Sequence, residues 1–180
     1  MSSPSFSSSR SSLDGLPAAA DLAGARLSAP IELERVRKLF GNPARIAASD
    51  FLRREIAMRM FERLDLIKLA PRHVIDAGCG VGADLAVMQE RYPGVQSSGI
   101  DTSQAMLDEA RRSQQAAQSS VNRLLGKWLP ARLGASVGLG AEAQWLCADF
   151  ASLPFEAACA DLVWSNLALH WHPQPDRVFA

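Results

Sequence analysis

One stretch of this chain sets chemistry-bearing residues at a spacing that backbone geometry makes useful: Val74-Ile75-Asp76-Ala77-Gly78-Cys79-Gly80-Val81-Gly82. A short apolar run with an acid near its end passes into glycines and then into a helical pattern. Glycines there permit positive φ and let a ligand touch backbone with no Cβ in the way. The start of the following helix offers free N–H groups to an anionic group such as a carboxylate. Two further acids, Asp101 and Asp149, end the next two β-patterned runs. One such acid alone would only cap the helix after it. Three of them at consecutive strand ends, on the carboxyl edge of a parallel sheet and beside a glycine turn, make a site.

Two ligands fit the turn. Gly78-x-Gly80-x-x-Ala83 satisfies the dinucleotide fingerprint, and Asp101 stands at about the distance expected of a ribose-binding acid. Asp76, two residues before the first glycine, points the other way. It would repel a pyrophosphate and favour a ligand carrying an ammonium beside a carboxylate. S-adenosylmethionine is such a ligand, with amino acid, sulfonium and nucleoside together. Asp101 can then accept both ribose hydroxyl hydrogens, and Asp149 can accept from the adenine amino group. The dinucleotide reading stays open beside it.

These acids need strands alternating with helices to carry them, and the chain reads that way. The spacing predicts a short amphipathic helix over Ile31–Phe40, broken by Gly41-Asn42-Pro43. A second runs from Asp50 to Lys68, with Leu52, Ile56, Met60, Leu64 and Ile67 as one apolar stripe. Strands follow at His73–Asp76, Gln96–Asp101, Gln144–Asp149 and Asp161–Asn166, with helices at Gly82–Tyr92 and from Ser103 to about Gln118. The predicted fold class is α/β, a Rossmann-like doubly wound parallel sheet.

Composition sets the limits. The 180 residues hold 19 Lys and Arg against 19 Asp and Glu, with zero formal net charge, 48% hydrophobic and 21% charged residues. That is one soluble-type globular domain. It has no basic excess for nucleic acid and no apolar run near the roughly 18 residues of a membrane span. Three cysteines (Cys79, Cys147, Cys159) with no C-x-x-C pair exclude a disulfide scaffold or zinc knuckle and point to a reducing compartment. His73, His170 and His172 form no metal spacing with them. The domain expectation is a disordered Ser/Ala-rich tail over 1–30, helices over 31–70, and a ligand-binding Rossmann-like domain over 71–180 with an insertion at about 113–142.

The strings D-A-G-C-G-V-G, G-I-D-T-S-x-x-M-L-x-x-A, C-A-D-F-x-x-L-P-F and D-L-V-W-S-N-L-A-L-H-W resemble the class I S-adenosylmethionine-dependent methyltransferases. The last two are similar in particular to the malonyl-acyl-carrier-protein O-methyltransferases of biotin synthesis. The resemblance covers about residues 40–180. It implies that Asp76, Gly78 and Gly80 hold the methionine end of S-adenosylmethionine, that Asp101 holds the ribose and Asp149 the adenine, and that Thr102 and Phe150 also bind the cofactor. Asn166 then closes the site beside the methionine and the methyl group. It further implies a small or carrier-linked acyl acceptor, no nucleic-acid or membrane partner, and a cytoplasmic setting, or the mitochondrial matrix in a eukaryote. The family's sheet has seven strands in the order 3-2-1-4-5-7-6. Only four are readable here, so the expectation is an incomplete sheet whose fourth strand leaves Leu162 and Trp164 uncovered. The helix Asp50–Asp65 instead resembles the complex I assembly factor group that hydroxylates an arginine, which implies a hydroxylase as the alternative chemistry. An inactive binding fragment is the other alternative.

Three features remain. His170, after the fourth strand, is the candidate general base, although a carboxylate acceptor, already ionised at neutral pH, needs none. Cys79 reads as a small filler, and Trp128, Trp145 and Trp164 as core or interface residues, with adenine stacking the alternative for a tryptophan. Residues 110–141 contain five cations and no acid. Arg123 and Lys127 stand four apart on one helical face, so 111–132 is a candidate docking segment for an acidic acyl carrier protein.

Overall fold

A computed structural model describes residues 31–48, 50–128 and 142–175, with side chains omitted for 121–128. The expected tail over 1–30 lies outside the described residues. Helices α1 (Leu33–Phe40), α2 (Pro43–Ala47) and α3 (Phe51–Leu64) lead into β1 (His73–Ala77), α4 (Ala83–Arg91), β2 (Gln96–Asp101), α5 (Gln104–Trp128), β3 (Gln144–Cys147) and β4 (Leu162–Trp164). A 3-10 turn at Leu169–Trp171 follows.

The four strands form one parallel sheet in the order β3-β2-β1-β4. The register pairs Asp76 with Gly99 and with Trp164, and Asp101 with Cys147. The α/β, Rossmann-like fold read from the alternation of strand and helix is the fold observed. All four strands point their carboxyl ends the same way, which brings the glycine turn, Asp101 and the residues after β3 and β4 to one edge.

The core is built from β1 and the helix after it. Val74, Leu85 and Met88 are fully buried, joined by Ala57 of α3 and Trp164 of β4. Helix α3 turns differently from the predicted stripe. Ala57, Met60, Phe61 and Leu64 face the core, while Leu52 is 51% exposed and Ile67, beyond the helix end, is 55% exposed. The small Ala57 permits the close approach, and Phe61 fills the space beside it. Asn42 caps the short α2, its side-chain oxygen accepting from the Arg45 amide at 3.2 Å, with Pro43 at the first helical position.

Two expectations about the later chain are corrected. The helix from Ser103 does not end near Gln118 but runs unbroken to Trp128. Nothing in that stretch stops it, since Gly126 only weakens a helix and the first strong breaker is Pro130. Much of the supposed insertion is therefore helix, and 129–141 lie outside the described residues. Trp164 is not uncovered. It is 4% exposed, and Leu162 on the same face is partly buried; alternation puts Val163 on the other face, where it is 57% exposed. Among the described residues no helix is long and apolar enough to cross a membrane, and no cluster of metal-ligating side chains occurs.

Candidate functional site

The turn after β1 is stitched to β2 before any ligand is considered. Gly78 and Cys79 donate their amides to the Ile100 carbonyl at 2.8 and 2.9 Å. Gly78 sits at φ 81° and Gly80 at φ 52°. A Cβ on Gly78 would lie 2.2 Å from the Ala168 Cβ, so the loop after β4 closes directly over this glycine. The Asp101 carboxylate accepts from the Gly80 amide at 3.0 Å through Oδ2 and from the Ser103 amide at 2.8 Å through Oδ1. Burial pushes the Asp101 carboxyl up, and the backbone N–H groups of Ser103, Gly80 and Thr102 oppose that shift.

A cavity of about 390 Å³ opens above this edge, within the usual range for a small-molecule site. Seven of the nine residues expected to form a site line it: Gly78, Gly80, Asp101, Thr102, Phe150, Asn166 and His170. The opposite wall comes from the N-terminal helices, through Val36, Phe40, Ile46, Leu52 and Arg53. Phe40 meets Trp171 with ring centroids 4.9 Å apart, which ties α1 to the 3-10 turn after β4.

Asp76 and Asp149 are not on the cavity wall. Asp76 is 3% exposed within β1. Burial pushes its carboxyl well above the usual range, Asp84 and Asp101 push the same way, and only Arg53 opposes. Asp149 accepts the Ala151 amide at 2.9 Å, and His172 Nε2 lies 3.4 Å from the same oxygen. His172 Nδ1 accepts the Gln174 amide at 3.0 Å, which leaves Nε2 as the ring nitrogen that carries hydrogen toward Asp149. Burial also pushes the Cys79 thiol well up, a poor setting for a nucleophile.

One group escaped the sequence reading. Asp84, in the first turn of α4, is 6% exposed. It pairs with Arg53 of α3, and its Oδ2 accepts from Trp164 Nε1 and Asn166 Nδ2, each at 3.0 Å. Arg53 is gripped from behind by Asp50, at 2.6 and 3.1 Å. Burial works against the Arg53 charge, but Asp50 and Asp84 outweigh it and raise the pKa. The Asp50-x-x-Arg53 spacing is the one visible sign of this network in the sequence.

Comparison with known proteins bears on the same residues. A family model described as a methyltransferase domain matches residues 75–180. Malonyl-acyl-carrier-protein O-methyltransferase of Methylovorus sp. (strain MP688) is 39% identical over 150 residues, covering 83% of this chain and 45% of the relative. The protein of the same name from Laribacter hongkongensis (strain HLHK9) is 40% identical over 129 residues, covering 72% and 38%. The chain thus spans less than half the length of these two relatives. A solved structure of the plantazolicin methyltransferase BpumL in complex with SAH aligns at a TM-score of 0.47 and 19% identity, over 81% of this chain and 46% of that one. With the family model matching well over half of it, the chain belongs to the methyltransferase domain family.

Proposed function

We propose that this chain binds S-adenosylmethionine in the cavity at the carboxyl edge of the sheet and methylates the free carboxylate of a carrier-linked malonyl-type acyl group in biotin synthesis. The observation that carries the reading is the convergence of Gly78, Gly80, Asp101 and Asn166 on one cavity of suitable size. The names of the two relatives supply the acceptor class.

The donor set suits the methyl donor. Backbone amides hold the Asp101 carboxylate still at the edge of the cavity, where it can accept from a ribose hydroxyl. Asn166 has a buried Oδ1 with no hydrogen-bond partner among the described residues. Gly78 and Gly80 present backbone without side chains, and Phe150 offers a flat apolar face. When bound, S-adenosylmethionine supplies a methyl carbon on a sulfonium. Phe40, Leu167 and Trp171 make an apolar wall that keeps water from the acceptor. A carboxylate is already an ionised nucleophile at neutral pH, so the chain's part is alignment rather than proton removal. His170 lines the same cavity and is exposed, which suits contact with the acceptor.

The carrier would dock through the acid-free segment. Arg111 pairs with Asp108 and Arg112 with Glu109, so these two cations are already engaged. Arg123, Lys127 and Arg132 carry the docking proposal, and their side chains lie outside the described residues.

Calorimetric titration with S-adenosylhomocysteine and with NADH tests the cofactor, and binding of NADH alone would overturn the reading. Incubation with S-adenosylmethionine and malonyl acyl carrier protein tests the reaction by product mass. A gain of one methylene supports it, and a gain of one oxygen identifies a hydroxylase. Binding of S-adenosylhomocysteine without any product leaves a binding fragment.

A further inference from the structure

Three consecutive residues after β4 face two ways. His170 and Trp171 line the cavity, while His172, which closes the same 3-10 turn with its amide on the Leu169 carbonyl, is 6% exposed. Pro173 bars a helical continuation and keeps His172 extended, at φ −93° and ψ 136°. The chain then comes back on itself, and the Gln174 amide donates to His172 Nδ1 at 3.0 Å. A ring nitrogen that accepts carries no hydrogen, so in the neutral ring the hydrogen sits on Nε2. That nitrogen lies 3.4 Å from Asp149 Oδ1. The same ring meets Phe150 with centroids 5.4 Å apart.

This contact crosses the sheet. Strands β3 and β4 form its two opposite edges. The loops that follow them meet above the glycine turn, where a Cβ on Gly78 would lie 2.2 Å from the Ala168 Cβ and 3.8 Å from Phe150 Cε1. Asp149 needs a support from that side. Its Oδ1 accepts the Ala151 amide at 2.9 Å and its carbonyl accepts the Ser152 amide at 2.9 Å, which fixes the backbone of the corner. One bond to one oxygen still lets the carboxylate plane rock. His172 brings a second hydrogen to Oδ1 from outside the corner. Both contacts fall on Oδ1, the side chain is 29% exposed, and the next residue, Phe150, lines the cavity.

We propose that His172 is a positioning residue that steadies the Asp149 carboxylate from across the sheet, so that Oδ2 accepts from the exocyclic amine of the ligand's purine. This rests on S-adenosylmethionine being the ligand and on Asp149 meeting its adenine. His172 itself touches no ligand. It acts through the fixed tautomer and through its packing behind Phe150.

The test compares two ligands on the 180-residue chain by calorimetry: S-adenosylhomocysteine, and its analogue with the purine 6-amino group replaced by hydrogen. The unaltered chain should prefer the amino form by about 10- to 150-fold, the range for a hydrogen bond to a charged group. His172→Phe keeps a flat ring against Phe150 and removes the N–H. It should reduce the preference to about threefold or less by weakening only the amino form. His172→Leu, smaller and equally without a donor, should do the same and decides the matter should His172→Phe fail to fold. His172→Gln, whose side-chain amide can supply the lost N–H, should keep a preference within about threefold of the unaltered chain. A merely structural role would weaken both ligands alike in all three variants. Retained preference in a folded Phe or Leu variant overturns the proposal, and so does a Gln variant no better than these. Loss of the fold in both donor-less variants also overturns it, since His172 then serves the fold. An unaltered chain that binds both ligands equally overturns it and takes Asp149 away from the purine, while the methyl-donor reading survives. An unaltered chain that binds neither ligand overturns that reading itself.

Discussion

Phe61 and Trp164 stack with ring centroids 4.5 Å apart and an interplanar angle of 20°. One ring belongs to the helix before the sheet and the other to its fourth strand. The contact closes the N-terminal helices over the core and sets the wall from which Arg53 reaches Asp84 and the cavity. Losing a large, partly buried ring from a core costs somewhat less than the 3–5 kcal/mol of a fully buried one. Phe61→Ala should cost about 2–3 kcal/mol and lower the melting temperature by about 5–10 °C. Phe51, on the same helix and 72% exposed, is the comparison. Phe51→Ala should stay within about 0.5 kcal/mol. Equal melting shifts for the two variants would show that the stack does not anchor the helix.

The glycines with positive φ separate strain from collision. Gly94 has φ 84° and nothing within 4 Å of where a Cβ would stand, so Gly94→Ala should cost only the left-handed strain, about 1–2 kcal/mol. At Gly82, φ 73°, the Cβ would lie 2.3 Å from the Trp145 ring, and at Gly78 it would lie 2.2 Å from the Ala168 Cβ. Those two alanine variants should melt well below Gly94→Ala. Gly78→Ala should also weaken S-adenosylhomocysteine, because Ala168 lines the cavity. Similar melting temperatures for all three would mean that the loop after β4 and the Trp145 ring both yield freely.

Asp101 should anchor the nucleoside. Asp101→Ala removes an acceptor held by two backbone amides, at 3.0 and 2.8 Å. Affinity for S-adenosylhomocysteine should fall by about 10- to 150-fold. An unchanged dissociation constant in a folded variant removes Asp101 from the site.

The parts legible in the sequence are those with local causes. Strand β2 is expected over Gln96–Asp101 and observed over those residues, because Pro93-Gly94 marks the turn before it and an acid marks its end. The glycine turn is legible because positive φ leaves a residue-type signature at each position. Asp84 is not. An acid in the first turn of a helix is expected there for its favourable interaction with the helix N-terminus, and that local reason hides a buried one. Its partners lie 31, 80 and 82 residues away in sequence, at Arg53, Trp164 and Asn166. The facing of α3 escapes for a related reason. Ala57 counts little in an apolar stripe, yet its small size is what admits the helix to the core.

Asp76 should set a pH dependence of stability whose sign follows from burial. Its folded-state carboxyl is pushed well above the unfolded value of about 3.9, first by burial, then by Asp84 and Asp101, against Arg53. Between the unfolded and folded values the native chain holds more protons than the unfolded one. Stability therefore falls as pH rises through that window, and at higher pH the full penalty of the buried charge remains. Asp76→Asn keeps the shape and removes the charge. It should melt above the unaltered chain at pH 7, by about 2–4 °C for each kcal/mol relieved, and the gap should close as pH falls to about 4. On the proposed reading the same variant should also bind S-adenosylhomocysteine more weakly, since the buried acid behind the glycine turn no longer adds negative potential to the cavity. Stability gained with affinity lost is the expected signature of a charge kept for binding. Parallel melting curves from pH 4 to 8 would show that the Asp76 carboxyl does not titrate across this range. A lower melting point for Asp76→Asn at pH 7 would show that the native fold depends on the charged form.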